Sequence, residues 1–206
     1  MRLTTIRVLV PVAVLVLSLG GCGDSDDGGS NDSGGGDPAS ADIPLLPDDF
    51  KGVCEGATVS RATAYDPAAT SHKALYFATY EDSLLDQSSN LPTDWTVLFS
   101  ADGNALQAID VVACSVRTSE ELAQTCTGYQ DDGEDTGNEV RWHTATYDVS
   151  VREATTGTVL KQETIEATDD GCPSLVMFDE GETSVDQYDS VPDEKIVALL
   201  KPFVQP

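Results

Sequence analysis

The chain has 206 residues, 36 of them acidic and 11 basic, for a formal net charge of −25. That charge repels phosphates and anionic headgroups alike, and no basic stripe offsets it, so nucleic acid is excluded as a partner and so is charge-driven membrane binding. The length fits a single domain with room for a real core.

At the start of the chain Arg2 and Arg7 precede an uncharged apolar run from Val8 to Leu19. Its roughly 12 residues span about 18 Å as a helix, short of a hydrocarbon core of about 30 Å, which fits a cleaved leader rather than a membrane span. Leu19-Gly20-Gly21-Cys22 follows and resembles a bacterial lipobox: a branched apolar residue, two small residues, then the cysteine that is acylated. The expectation is a signal peptide at 1–21, a lipid on Cys22, and residence at the cell membrane, anchored on the extracytoplasmic face. Residues 22–42 are mostly Gly, Ser, Asp and Asn, too polar to bury and mutually repelling, hence a flexible spacer. Asp24, Asp26 and Asp27 are read as solvated spacer, not as a metal site.

Arg2 and Arg7 are the only bases before Ile43 and six aspartates lie in the spacer, so the single extracytoplasmic domain, 43–206, keeps 30 acids against nine bases, a net −21. Its cysteines, Cys54, Cys114, Cys126 and Cys172, form an even set, and in an oxidising compartment that predicts two disulfides. No C-x-x-C pair or histidine couplet supports zinc. Of the three possible connectivities, Cys114 with Cys126 is favoured, because Ser115–Thr125 can form a short excursion whose ends return together. Cys54 is then left to clamp the domain's start to Cys172.

Lys73–Tyr80 is aromatic-rich and predicts a strand with Leu75 and Phe77 on one face. Trp95, Val97 and Phe99 alternate up to a turn signal at Ser100–Asn104. The nearly unbroken apolar run Ala105–Val116 follows, which together predict a hairpin with a central second strand. A second hairpin covers Val140–Thr168: Tyr147, Val149 and Val151 alternate with Asp148, Ser150 and Arg152, so the strand is expected to be wet on one face, and Thr156-Gly157 makes the turn. Ser190-Val191-Pro192-Asp193 has the form of a capping box with proline in the first turn. Ile196, Leu199, Leu200 and Phe203 then fall at helical spacing until Pro202 ends the run. The fold class is α+β: mainly antiparallel sheet of about five to seven strands, a C-terminal helix and two disulfides.

Groups suited to catalysis are scarce. His72 and His143 are the only histidines, neither in a metal-ligand frame, and no G-x-S-x-G, P-loop or G-x-G-x-x-G occurs. No cofactor is expected. The glycine-punctuated acidic loop Asp131–Glu139 offers weak calcium candidates in Asp131, Asp132, Glu134 and Asp135. It fails the EF-hand pattern, however, and reads as a solvated hairpin loop. The acidic run Asp179–Asp189 is weaker still as a site.

The order of Trp95, Val111-Val112-Ala113-Cys114, Cys126 with Tyr129, Arg152–Gly157 and Cys172-Pro173 resembles a group of secreted domains from actinobacteria and some other bacteria. The likeness covers roughly Val53 to Val204. Here Cys126 stands one residue further from its tyrosine than in that pattern, and the resemblance implies no catalytic residue. Two function classes follow: a non-catalytic module that binds an envelope protein, glycan or small solute, or an extracellular hydrolase built from carboxylates and a histidine. A concave pocket gathering His143 or His72 with two or more carboxylates would favour the second.

Overall fold

A computed structural model describes residues 43–98, 104–168 and 171–205. Cys22, the leader and the spacer lie outside the described residues, as does nearly all of the turn expected at Ser100–Asn104. Among the described residues eight strands form in chain order: β1 (Ala74–Tyr80), β2 (Ser83–Asp86), β3 (Val111–Cys126), β4 (Gln130–Asp131), β5 (Glu134–Asp135), β6 (Glu139–Glu153), β7 (Val159–Ala167) and β8 (Ser184–Tyr188). The helix α1 (Asp193–Val204) closes the chain, and a 3-10 helix, Pro47–Glu55, opens the described part. Six strands make one mixed, mostly antiparallel sheet in the order β2-β1-β3-β6-β7, with β8 pairing the free first half of β6; β4 and β5 form a separate ribbon. The α+β class, the C-terminal helix and two disulfides are all present.

The apolar alternation gives the sheet two dry faces. Leu75, Phe77, Val112 and Cys114 pack against Phe50, Val53 and Cys54 of the 3-10 helix, with Leu106 and Ile109. Tyr76, Ala113, Tyr147, Val149 and Val151 pack on the other face against Ile196, Leu199, Leu200 and Val204 of α1, with Leu91 and Trp95. Each fully buried Phe or Leu contributes about 2–3 kcal/mol, so these two covers hold the domain together. The 3-10 helix also explains why β6 is not wet on one face: Ser150 is buried and Asp148 and Arg152 are half-buried beneath that cover.

The disulfides join Cys54 to Cys114 and Cys126 to Cys172, with Cα–Cα distances of 5.6 and 5.7 Å, and not Cys114 to Cys126 or Cys54 to Cys172. The reason is that Ser115–Thr125 is extended strand. Cys114 and Cys126 both belong to β3, and at about 3.3 Å per residue they stand roughly 40 Å apart, far beyond disulfide reach.

The hairpin expected from Trp95 into β3 is also replaced. Trp95 lies in a turn, with its own N–H bonded to Pro92 O and its carbonyl accepting from Ala74 N–H, and β3 pairs β1 in parallel instead. Burial of the Trp95 ring under α1 satisfies the same apolar spacing without a strand. At the C-terminus Pro202 does not end the helix but sits in its last turn, two residues before the end at Val204, so little helix remains for its ring and missing N–H to disrupt. No side chain caps the helix start, so the expected capping box is absent. At the helix's other end the carbonyl of Val204 accepts from the His72 N–H at 3.1 Å. The hairpin at Thr156-Gly157 forms as read, with Gly157 at φ +69°.

Candidate functional site

The cover provided by α1 stops near Ala145 and Tyr147, whereas β3, β6 and β8 run on, leaving half of that sheet face open. Side chains that the register places on this open half are Arg117 and Glu120 from β3, Arg141 and His143 from β6, and Asp186 and Tyr188 from β8. Arg141 pairs Asp186 across the strands and donates from Nη2 to Oδ2 at 2.6 Å. The other oxygen, Oδ1, lies 2.7 Å from His143 Nε2. His143 stacks on Tyr188 with centroids 5.0 Å apart, and the Arg117 guanidinium sits 3.5 Å over the same tyrosine ring. Arg117 also holds Glu120 at 3.1 Å and donates to the carbonyl of Glu81. A charged network of this kind is worth more for positioning than for stability, since half-exposed pairs contribute about 1 kcal/mol or less.

Above this floor lies a trough of about 950 Å³. Its walls bring Tyr80, Glu81 and Asp82 from the β1–β2 turn, Gln87 and Asn90 from the following loop, and Met177, Asp179 and Glu182 from the segment before β8. The disulfide at Cys172 and the Tyr129 O–H bond to Pro173 O, 3.1 Å, hold the base of that segment. Thr183 O, accepting from Glu139 N–H, fixes its other end.

Burial pushes the Asp186 carboxyl up, but hydrogen bonds from His143 and Arg141 and their charges more than offset this and hold it below the usual carboxylate range. Burial and Glu120 push the Tyr188 phenol up, although Arg117 opposes them. Tyr76, at the edge of the α1 cover, is pushed up by burial to about 12. Near neutral pH Asp186 is therefore a fixed anion and these phenols keep their protons, so none of them is tuned to exchange one.

His143 reaches the floor but is only 14 % exposed at its side chain, and Asp186 is the single carboxylate it touches among the described residues. Its Nδ1 is buried without a hydrogen-bond partner. His72 lies elsewhere, at the start of β1, locked to Asp110 at 2.5 Å and stacked on Tyr65 at 4.6 Å, with both members of the pair almost fully buried. Burial raises the Asp110 carboxyl, and the His72 and Lys73 hydrogen bonds counter it only in part. No serine, threonine or thiol bonds either imidazole among the described residues. The four cysteines are all in disulfides.

Asp131, Asp132, Glu134 and Asp135 are exposed on the β4–β5 ribbon, turned by Asp132 and Gly133 at positive φ. Among the described residues no three His, Cys, Asp or Glu side chains converge as a cation site. The run Asp179–Asp189, given little weight from sequence, supplies the trough with Asp179, Glu182, Asp186 and Tyr188. Arg117, Arg141 and Tyr188 carried no sequence signal, because only the strand register brings them together. No protein-family model, curated protein or solved structure matches the chain.

Proposed function

We propose that this chain is a lipid-anchored, extracytoplasmic binding module, held to the membrane through Cys22 and recognising its partner in the trough on the open half of the sheet. The observation that carries the binding reading is the composition of that trough. Aromatic, amide and charged side chains surround a concavity of about 950 Å³, while the one imidazole beneath it is engaged by Asp186 and Tyr188 and has no nucleophile beside it. A shaped cleft with a few fixed polar groups is what ligand capture requires. Acid–base or covalent chemistry would need a tuned proton carrier or an activated nucleophile, and neither lines the walls. The anchor rests on the Leu19–Cys22 sequence and its apolar leader. The two disulfides fit an exported domain.

Two measurements test the proposal. Cys22→Ser should move the protein out of the membrane fraction or leave it unprocessed, and processed Cys22→Ser protein that stays in the membrane would refute the anchor. For the site, a photo-crosslinking residue at Tyr80 should trap envelope material in intact cells, while one at Glu163, exposed on β7 opposite Val149 and away from the trough lining, should not. Equal yields from both positions, or hydrolysis of an ester or glycoside that His143→Ala abolishes, would overturn the binding reading.

A further inference from the structure

All five residues of β8, Ser184 to Tyr188, line the trough. Consecutive strand residues point to opposite faces, so a concavity touched by all five lies over the open face at Asp186 and Tyr188 and also wraps onto the strand's edge. That edge is open: β8 pairs β6 on one side and no other strand among the described residues. An open edge presents unpaired peptide N–H and C=O groups at the spacing of another strand.

The side chains around that edge select the charge of what pairs with it. Arg117 and Arg141 are the only basic residues in the lining, and each is already held by a carboxylate, Glu120 and Asp186. Glu81, Asp179 and Glu182 on the walls have no ion-pair partner among the described residues. Tyr80, 60 % exposed, and Met177, 90 % exposed, add an aromatic face and a soft apolar contact to the rim. Pairing of β8 with β8 of a second copy is opposed by the same carboxylates and by a domain charge of −21.

We infer that the trough and the open edge of β8 take up an extended peptide bearing lysine or arginine as an added strand, an assignment that rests on the trough being the binding site. Its backbone pairs with β8, its cationic side chains meet Asp179 and Glu182 on the near wall, and its apolar side chains lie against Met177, while Glu81 and Tyr80 face it across the floor. A polyamine has the charge but not the peptide groups, and a neutral glycan has neither.

The test uses the oxidised chain from Cys22 onward, followed by NMR and calorimetry. The probe is an acetylated, amidated hexapeptide alternating lysine and valine. It is compared with its glutamate counterpart, with two versions N-methylated on alternate amides of either parity, with spermine and with tetra-N-acetylchitotetraose. The lysine peptide should saturate and shift amides of β8. The glutamate peptide and spermine should bind at least tenfold more weakly, and one N-methylated version, not both, should lose at least tenfold. Asp179→Asn with Glu182→Gln should weaken the lysine peptide at least threefold. Spermine binding as tightly as the peptide, or both N-methylated versions matching the parent, would overturn strand addition. If the chitotetraose or the glutamate peptide shifts trough amides and the lysine peptide does not, the peptide assignment falls and the binding site stands. If no probe shifts them and Tyr80 crosslinks nothing in cells, both fall together.

Discussion

Reduction should open the two disulfides in a fixed order, Cys126–Cys172 first. On chain entropy alone the bridges are nearly equivalent: they close 60 and 46 residues, and both loop terms come to about 4 kcal/mol. Burial separates them. Cys54 and Cys114 are 7 % and 0 % exposed and lie between the 3-10 helix and the sheet, beside Phe50 and Phe77, so a reductant reaches them only after that cover lifts. Cys172 is exposed at the foot of the trough wall, and only its partner Cys126 is buried. Removing the sulfurs as well adds a void. Cys54→Ala with Cys114→Ala should cost about 5–6 kcal/mol, whereas Cys126→Ala with Cys172→Ala should cost about 4 at most. Urea unfolding of the two double variants measures the difference, and alkylation with mass spectrometry during dithiothreitol titration gives the order. Equal stabilities, or alkylated Cys114 ahead of Cys172, would refute the assignment of the inner bridge to the core.

Gly157→Ala should cost about 3 kcal/mol or more, because beyond the left-handed backbone term its Cβ would stand 2.7 Å from the carbonyl oxygens of Gly56 and Ala57. Gly181→Ala has a comparable positive φ and nothing within 4 Å, so it should cost only about 1–2 kcal/mol, and urea unfolding that gives equal values would remove the steric argument. His72→Ala leaves the buried Asp110 carboxylate with backbone N–H donors alone, Lys73 at 3.0 Å among them, and should cost about 3 kcal/mol. His143→Ala leaves Arg141 on Asp186 and should cost about 1 kcal/mol or less, so thermal melts that rank the two histidines the other way would contradict the burial argument. The Asp186 carboxyl is held below its unfolded value, so its stabilisation is full above the ordinary carboxylate range and is lost as pH falls through its own lower pKa. Asp186→Asn should therefore flatten the acid limb of stability against pH, and an unchanged limb would mean that the His143 and Arg141 contacts do not persist in solution.

What could be read in the sequence, and what could not, follows from the range of the interactions. Period-two alternation placed β1, the core half of β3 and the β6–β7 hairpin, and helical spacing placed α1, because each pattern records burial of one short segment. Pairing partners are not written locally. β1 joins β3 in parallel across the β2 excursion, and the far half of β3, Arg117–Thr125, read as a loop because its outer positions are polar and exposed. That misreading made a Cys114–Cys126 bridge look feasible. The edge strand β8 was hidden for a related reason: Ser184–Tyr188 sits inside an acidic run whose charge outweighed its weak alternation. The site was less legible again, since Arg141 and Asp186 are 45 residues apart and His143 and Asp186 are 43, and only register makes them neighbours.

The placement of the two arginines bears on what the trough selects. In a domain with nine bases, two stand on its floor, which taken alone suggests an anion site. Their geometry argues the reverse. Arg141 is committed to Asp186 at 2.6 Å, and Arg117, 9 % exposed at its side chain, is covered by Tyr188 and bound to Glu120 and the Glu81 carbonyl. An anion entering the trough would have to break these bonds while passing Asp179 and Glu182 on the wall, and the arginine fork gains most where it stays bidentate or stacked. The floor charges therefore fix the rotamers of Asp186 and Tyr188 along β8, and the choice of ligand passes to the open strand edge and the unpaired carboxylates above it.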